Sequence, residues 1–447
     1  MQNRRDHVQA HRFAVGRLVS ALLSGDPGPV EVPMRRGNLG FQFGALVAAL
    51  LAAGFGVYGL ISPKESTAWR SPGAIIVEKE TGNRYVYLDQ RLYPMANYAS
   101  ALLIAGSRSQ TVSVARETLA DVRRGPQLGI LGAPDDVPPA AELLSGDRAV
   151  CLPPGSEKTL VDLDPAGRST PVPRGRWILL SGPDNTTYIL WNGRTFKLPS
   201  HAELVALGLV SQQPITVSKL WLAQVRSGGT LTALRIPEEG SEGPSVAGRA
   251  AKVGQLFQAT AAGFQELYVL LSDGLAPVNR TEFALLSGVP GAAAPRQVTA
   301  GDIAEGPVSK DRSLLTAMPD LLSGSAFAPG SSALCVLQKA GSSKGGSIVT
   351  EPVAGSLPSG VFVPPTKGLL VAARPAQKTN ATPRLYLITD SGKKYPLADS
   401  DALAAIGYGQ AKVRTLPRQL LDLAPTGPVL DITAAKAAVA ARAGKGP

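Results

Sequence analysis

The chain has 447 residues, a formal net charge of +11, 48 glycines, 37 prolines, two cysteines and three histidines. A zinc centre needs four ligands, and Cys151, Cys335, His7, His11 and His201 are a poor source of one. The basic excess is scattered rather than clustered, which argues against a nucleic-acid partner and leaves anionic headgroups, wall polymers or solvent as its counterparts.

Residues 1–36 form a basic tail. From His7 to Leu22 the apolar residues Val8, Phe13, Val15, Leu18, Val19 and Leu22 fall partly on one helical face, with Arg4, Arg5, Arg12 and Arg17 elsewhere, and Gly25-Asp26-Pro27 ends the pattern. This spacing predicts an amphipathic helix. It suits an anionic membrane surface or, preferably, a partner's helix, and Phe13, Val15, Leu18, Val19, Leu22, Arg12 and Arg17 are the candidate contact residues.

A charge-free stretch follows over 37–63. Its apolar core, Gly40 to Ile61, would be roughly 33 Å long as a helix, against a hydrocarbon thickness of roughly 30 Å. A single membrane span is expected. A signal peptide would be shorter and nearer the N-terminus, with a small-residue cleavage site. Arg35 and Arg36 stand directly before the span, whereas Lys64 and Glu65 cancel after it. The positive-inside bias therefore places the tail in the cytoplasm and the bulk of the chain outside it.

Both cysteines lie in that outer portion, where oxidising conditions let structural disulfides persist. Their pairing is expected, two buried free thiols being the alternative. The bridge would close a loop of about 184 residues, for which chain entropy gives roughly 5 kcal/mol.

Four segments of the outer portion share one grammar, the mark of internal repetition. Each has a Gly-led apolar run, a second run from Tyr, a turn rich in Asn, Asp or Gly, a residue pair near Pro, and a short helix ending near Gly. These are Gly73–Gly106, Gly175–Gly208, Gly254–Gly288 and Gly368–Gly407. The Asn-Gly and Asp-Gly pairs are hairpin signals because they tolerate positive φ. Ser200 with Glu203, and Asn279 with Glu282, carry the spacing of a helix-capping box. With their weaker tails the modules span 73–134, 175–236, 254–309 and 368–433, leaving 434–447 as a C-terminal tail. Residues 135–174 and 310–367 each hold one cysteine and a Leu-Leu-Ser-Gly sequence, at 143–146 and 321–324, and are expected to be two halves of a central domain. The fold class that follows is α+β: a single transmembrane helix, then an elongated extracytoplasmic part with four ββ(β)α modules around a centre in a pseudo-twofold plan.

Catalytic signatures are missing. Gly341 to Ser347 has spaced glycines but lacks the Lys that follows the second glycine of a phosphate-binding loop, and is read as a flexible loop. His201 follows a helix-capping Ser. The acidic pairs Asp135-Asp136 and Glu238-Glu239 lie in Pro- and Gly-rich stretches and are expected to be solvated. No cofactor is called for, and the chain is read as a non-enzyme.

The sequence Arg4-Arg5-Asp6-His7-Val8-Gln9-Ala10-His11-Arg12-Phe13, the single span, the modules and the two distant cysteines together resemble the EccB family. This is the single-span membrane component of the type VII (ESX) secretion machinery of actinobacteria. The resemblance implies an inner-membrane assembly with an EccC-like FtsK/SpoIIIE ATPase, an EccD-like channel protein, an EccE-like subunit and a mycosin protease. It also implies export of folded WXG100-type substrates, with this chain as the structural scaffold bridging the translocon to the periplasmic and cell-wall zone. Four non-catalytic modules on a single anchor are expected to self-associate through the extracytoplasmic domain. The modules are similar to a phage-lysin wall-binding subunit, so peptidoglycan binding is the alternative function. An ATP-hydrolysing role, a label attached to the family, is a weaker one.

Overall fold

The computed structural model describes residues 4–25, 34–61, 67–107, 109–156, 158–261, 263–342, 345–352, 360–374 and 383–439. Lys64, Glu65 and the C-terminal tail from 440 onward lie outside the described residues, as do the side chains of Arg35 and Arg36. The chain divides into two units, 1–67 and 68–447.

The first unit holds two helices, Arg4–Ser24 and Met34–Ile61. The first extends past both ends of the stretch read from sequence. Asp6 sits in its first turn, where a carboxylate favours the positive end of the helix dipole. Gly25 closes it with φ +70° and an N–H donated to Ala21 O at 3.2 Å, a left-handed stop that glycine adopts without penalty. The second helix is 28 residues long. Its described side chains, Gly40 to Phe55, include no charge and are all exposed. Among the described residues, no helix is long and apolar enough to cross a membrane.

In the second unit, four sheets share one plan. Ile75–Glu78, Arg84–Leu88 and Arg91–Pro94 form an antiparallel meander, and Thr111–Val114 returns parallel to its first strand. The same order recurs in Arg176–Ser181, Thr187–Trp191, Arg194–Leu198 and Ile215–Thr216. It recurs again in Leu256–Ala261, Phe264–Leu271, Gly274–Pro277 and Arg296–Thr299. The fourth copy is Gly368–Arg374, Leu385–Thr389, Lys394–Pro396 and Arg414–Pro417. In each, the chain after the fourth strand pairs in parallel with the third. It does so as a full strand, Arg226–Thr230, in the second sheet and as isolated bridges in the others.

A helix connects third to fourth strand in every sheet, and the side chains of Asn97, Ser200, Asn279 and Asp399 cap those helices. Ser200 and Glu203 make the full capping box. Asn279 and Glu282 do not. Glu282 is fully buried, and its Oε1 accepts from Leu234 N at 2.8 Å. Tertiary packing therefore takes the carboxylate that sequence spacing assigns to the cap. Asn279 instead spends its amide on the following chain, donating to Met318 O at 2.9 Å, as Asn97 donates to Ile130 O at 2.7 Å.

Both inserts contribute to a six-stranded central sheet. Its order is Gly360–Phe362, Leu160–Asp162, Arg148–Leu152, Ser332–Gln338, Ser347–Pro352, Thr170–Pro171. The third strand of each insert thus lies at the edge contributed by the other, so the halves are interlocked rather than merely apposed. Val150, Leu152, Leu334 and Val336 on one face bury against Ile178 and Leu180 of the second sheet with Trp221 of the helix Lys219–Leu222 that follows it, and against Leu369 and Val371 of the fourth with Leu420 of the helix Arg418–Leu421. In the first strands of those two sheets, alternate residues face the other way. Trp177 and Leu179 pack with Leu285 from the third sheet's helix, and Leu370 with Leu103 from the first sheet's helix. Burial of both faces explains why Trp-Ile-Leu-Leu and Leu-Leu-Val read as unbroken apolar runs.

The two Leu-Leu-Ser-Gly sequences occupy equivalent places. Leu143 bridges to Gly368 at the head of the fourth sheet's first strand, and Ser325, just past 321–324, pairs with Arg176 at the head of the second's. One hairpin stands outside the repeated plan: Glu242–Val246 with Arg249–Lys252, in the segment between the second and third sheets.

Candidate functional site

Two places carry the residues singled out from the sequence: the centre of the six-stranded sheet and the N-terminal helix. In the centre, Cys151 and Cys335 are joined by a disulfide, as expected of an oxidising compartment. They are direct partners in the register of Arg148–Leu152 against Ser332–Gln338. The strand alternation that sends Val150 and Leu152 to the main core sends Ala149 and Cys151 to the opposite face, where both cysteines are buried.

That face also holds an acidic pair that sequence reasoning missed. Asp162 and Glu351 are buried and lie in hydrogen-bonding reach of each other. Ser169 Oγ donates to Glu351 Oε1 at 2.6 Å, and the Arg168 guanidinium donates to Asp162 Oδ2. Burial pushes the pKa of both carboxyls upward, and for Glu351 the neighbouring Asp162 charge adds to the rise. The only sequence signal was an acid inside apolar strand runs, Leu-Val-Asp and Ile-Val-Thr-Glu. Glu351 and the two sulfurs cluster within 4.8 Å. Sulfurs already bonded to each other offer no thiolate for a metal, so the trio is a staple with an acidic neighbour.

On the N-terminal helix, the residues read as apolar contact candidates are all exposed, Phe13 at 64%, Leu18 at 62% and Leu22 at 81%. Helical spacing sets Val8, Val15, Leu18, Val19 and Leu22 along one side. Phe13 falls on the other, where the Arg17 guanidinium lies 6.0 Å from its ring centroid. Arg12 is exposed and shares the side of Val8 and Val19. The apolar stripe is thus cleaner without Phe13 than with it.

His201 is exposed at the first turn of its helix. Asp135 is not simply solvated: it pairs with Arg84 at 2.9 Å and accepts from Tyr98 N at 3.1 Å, so it ties the first insert to the first sheet.

A family described as "Type VII secretion system ESX-1, transport TM domain B" matches residues 2–442. The chain belongs to this family, EccB. An EccB2 relative from Mycobacterium tuberculosis, named an ESX-2 secretion system ATPase, is 32% identical over 57% of this chain and 54% of its own length. The chain therefore matches about half of that relative. EccB3 of Mycolicibacterium smegmatis, named an ESX-3 secretion system ATPase, is 26% identical over 95% of this chain and 89% of its own. Among solved structures, a chain of an intact ESX-5 inner membrane complex shares the fold with a TM-score of 0.57 at 23% identity, covering 98% of this chain and 95% of that one. An EccB3 dimer from the ESX-3 core complex does so with a TM-score of 0.55 at 23% identity, covering 82% and 100%. The EccB fold is thus mixed α+β in this chain as in those.

Proposed function

We propose that this EccB protein is a non-enzymatic scaffold subunit of a type VII secretion inner-membrane complex, bridging the translocon to the periplasmic and cell-wall zone. The observation that carries this is the family match over residues 2–442. A fold shared over nearly the whole chain with a component of an intact ESX-5 inner membrane complex supports it.

In this reading residues 37–63 cross the membrane once, and the N-terminal helix faces the cytoplasm, as the arginines before the span and the cancelled charges after it favour. The four sheets of common topology are copies of one module. The exposed Val15, Leu18, Val19 and Leu22 stripe docks against a partner near the cytoplasmic face, the EccC-like ATPase, EccD-like channel and EccE-like subunit being the candidates. Self-association runs through the extracytoplasmic part, in keeping with the dimer described for the EccB3 relative. The relatives' ATPase label is set aside because the sequence has no phosphate-binding loop.

The test is mild-detergent affinity purification of the full-length protein from its native host, with mass spectrometry and native sizing. A large assembly containing an FtsK-like ATPase and a multi-span protein is expected, and Leu18→Asp with Leu22→Asp should reduce recovery of the ATPase. A strictly monomeric, solitary protein overturns the reading. ATP turnover that survives rigorous purification overturns its non-enzymatic part.

A further inference from the structure

We propose that four arginines at one end of the second sheet form a binding site for a phosphate-bearing ligand. Arg174, Arg176, Arg194 and Arg226 line a single cleft of about 840 Å³ between that sheet and the 345–348 segment of the central one. Ile178 and Leu190 form part of its floor, and among the described residues no carboxylate lines it.

The placement is set by strand register. Arg176, Arg194 and Arg226 each begin a strand, and Arg194 and Arg226 are direct Cα partners in adjacent strands. Like charges held opposite one another in a sheet destabilise it. The protein supplies no counter-charge: among the described residues none of the four arginines forms an ion pair. Arg176 donates to Ser325 Oγ at 2.6 Å and Ala326 O at 3.3 Å, and Arg194 donates to Ser227 O at 3.5 Å, all neutral acceptors. All four side chains are exposed.

Gly345 contributes by its smallness. A Cβ on Gly345 would meet Arg226 Cγ at 2.6 Å and Nε at 2.7 Å, so glycine there lets the backbone come up against the guanidinium stem. The result is a cleft with four permanently charged forks and an apolar floor. Arginine forks match the paired oxygens of phosphate in two parallel bonds. A terminal phosphate carries about −1.5 to −2 charges at neutral pH, an internal phosphodiester one, and a run of either would neutralise all four arginines at once.

A nucleotide and a glycan-linked phosphodiester polymer present the same groups, so the test uses both. It is also independent of the secretion assignment. Calorimetric binding of inorganic tripolyphosphate to the detergent-solubilised full chain is compared across Arg174→Gln/Arg194→Gln and a control of equal charge, Arg249→Gln/Arg280→Gln. The cleft variant should bind at least tenfold more weakly and the control as the wild type, with polyglutamate binding worse than tripolyphosphate to the parent protein. ATP and poly(glycerol phosphate) then identify the source by which of them binds tighter and loses binding in the same variant. Arg194→Gln alone should melt no lower than the wild type, because it removes a like-charge register pair. Equal losses in cleft and control variants, or unchanged binding in the cleft variant, overturn the site. So does an Arg194→Gln protein that melts lower while binding normally, since the arginines would then be structural.

Discussion

Cys151 and Cys335 stand opposite one another in the antiparallel register at the middle of the central sheet, although 184 residues separate them in the chain. The disulfide therefore joins the two inserts where each already hands its third strand to the other. Cross-linking so distant a pair removes up to roughly 5 kcal/mol of unfolded-state entropy, with about 2–4 kcal/mol the usual yield. Cys151→Ser and Cys335→Ser should each lower the melting temperature of the protein by a similar amount, and reductant should bring the wild type down to match. Unequal losses measured by calorimetry without reductant would mean that one thiol acts alone.

Trp221 fastens the second sheet to the same centre. It is fully buried, and its Nε1 donates to Leu334 O at 3.2 Å, one residue before Cys335. Trp221→Phe keeps most of the apolar contact and removes the donor, an expected loss of about 1–3 kcal/mol. Trp221→Ala adds a cavity and should cost about 3–5 kcal/mol. Denaturant unfolding of the two variants separates the terms. Equal losses would show that truncating the ring adds nothing to the loss of the donor.

Local signals in the sequence are legible because they act over a few residues. The capped helices at Asn97, Ser200, Asn279 and Asp399, the Asn192-Gly193 turn and the second strands that start beside Tyr85, Tyr188 and Tyr386 follow from spacing and from positive-φ tolerance, whereas the third sheet's second strand starts at Phe264, four residues before Tyr268. The course of the third strands, Gly360–Phe362 and Thr170–Pro171, is illegible because each pairs across the other insert, a choice fixed by long-range packing. Glu282 misleads for the same reason: its cap spacing is genuine, but the Leu234 N–H forty-eight positions away takes the carboxylate. The arginine cleft is invisible because Arg194 and Arg226 meet only through a parallel pairing that sequence does not announce.

Glu282 makes a pH-dependent prediction. Burial raises its pKa, only partly countered by the bond from Leu234 N, and its Oε2 has no partner. A raised folded-state pKa stabilises the protonated form, so its contribution is fully present below the unfolded-state value and is lost as pH rises through the folded one. Glu282→Gln, permanently neutral and still able to accept from Leu234 N, should melt higher than the wild type above pH 7, with the gap closing toward pH 4. A pH-independent gap between the two melting curves would show that titration of this group plays no part. Asp162 and Glu351 shift in the same direction, so the comparison is made between variants rather than read from the wild-type slope.

The hairpin turns give the last prediction. In the second sheet the two turn residues are Asn192 and Gly193, with φ of +46° and +77°, the left-handed pair that a two-residue hairpin requires. The first sheet makes its equivalent turn with Asp89 and Gln90 at +47° and +61°. Asp tolerates that region, whereas Gln carries a Cβ against the carbonyl at a cost of roughly 1–2 kcal/mol. Glycine would relieve the clash but lose more freedom on folding, a loss of roughly 0.5–1 kcal/mol. Gln90→Gly should therefore stabilise the protein by about 0.5–1 kcal/mol, while Gly193→Gln should destabilise it by a similar amount. The two substitutions exchange the same residues between equivalent turns, so opposite shifts in chemical unfolding midpoint are the expected signature. Shifts of the same sign would mean that surroundings, not backbone handedness, decide which residue each turn accepts.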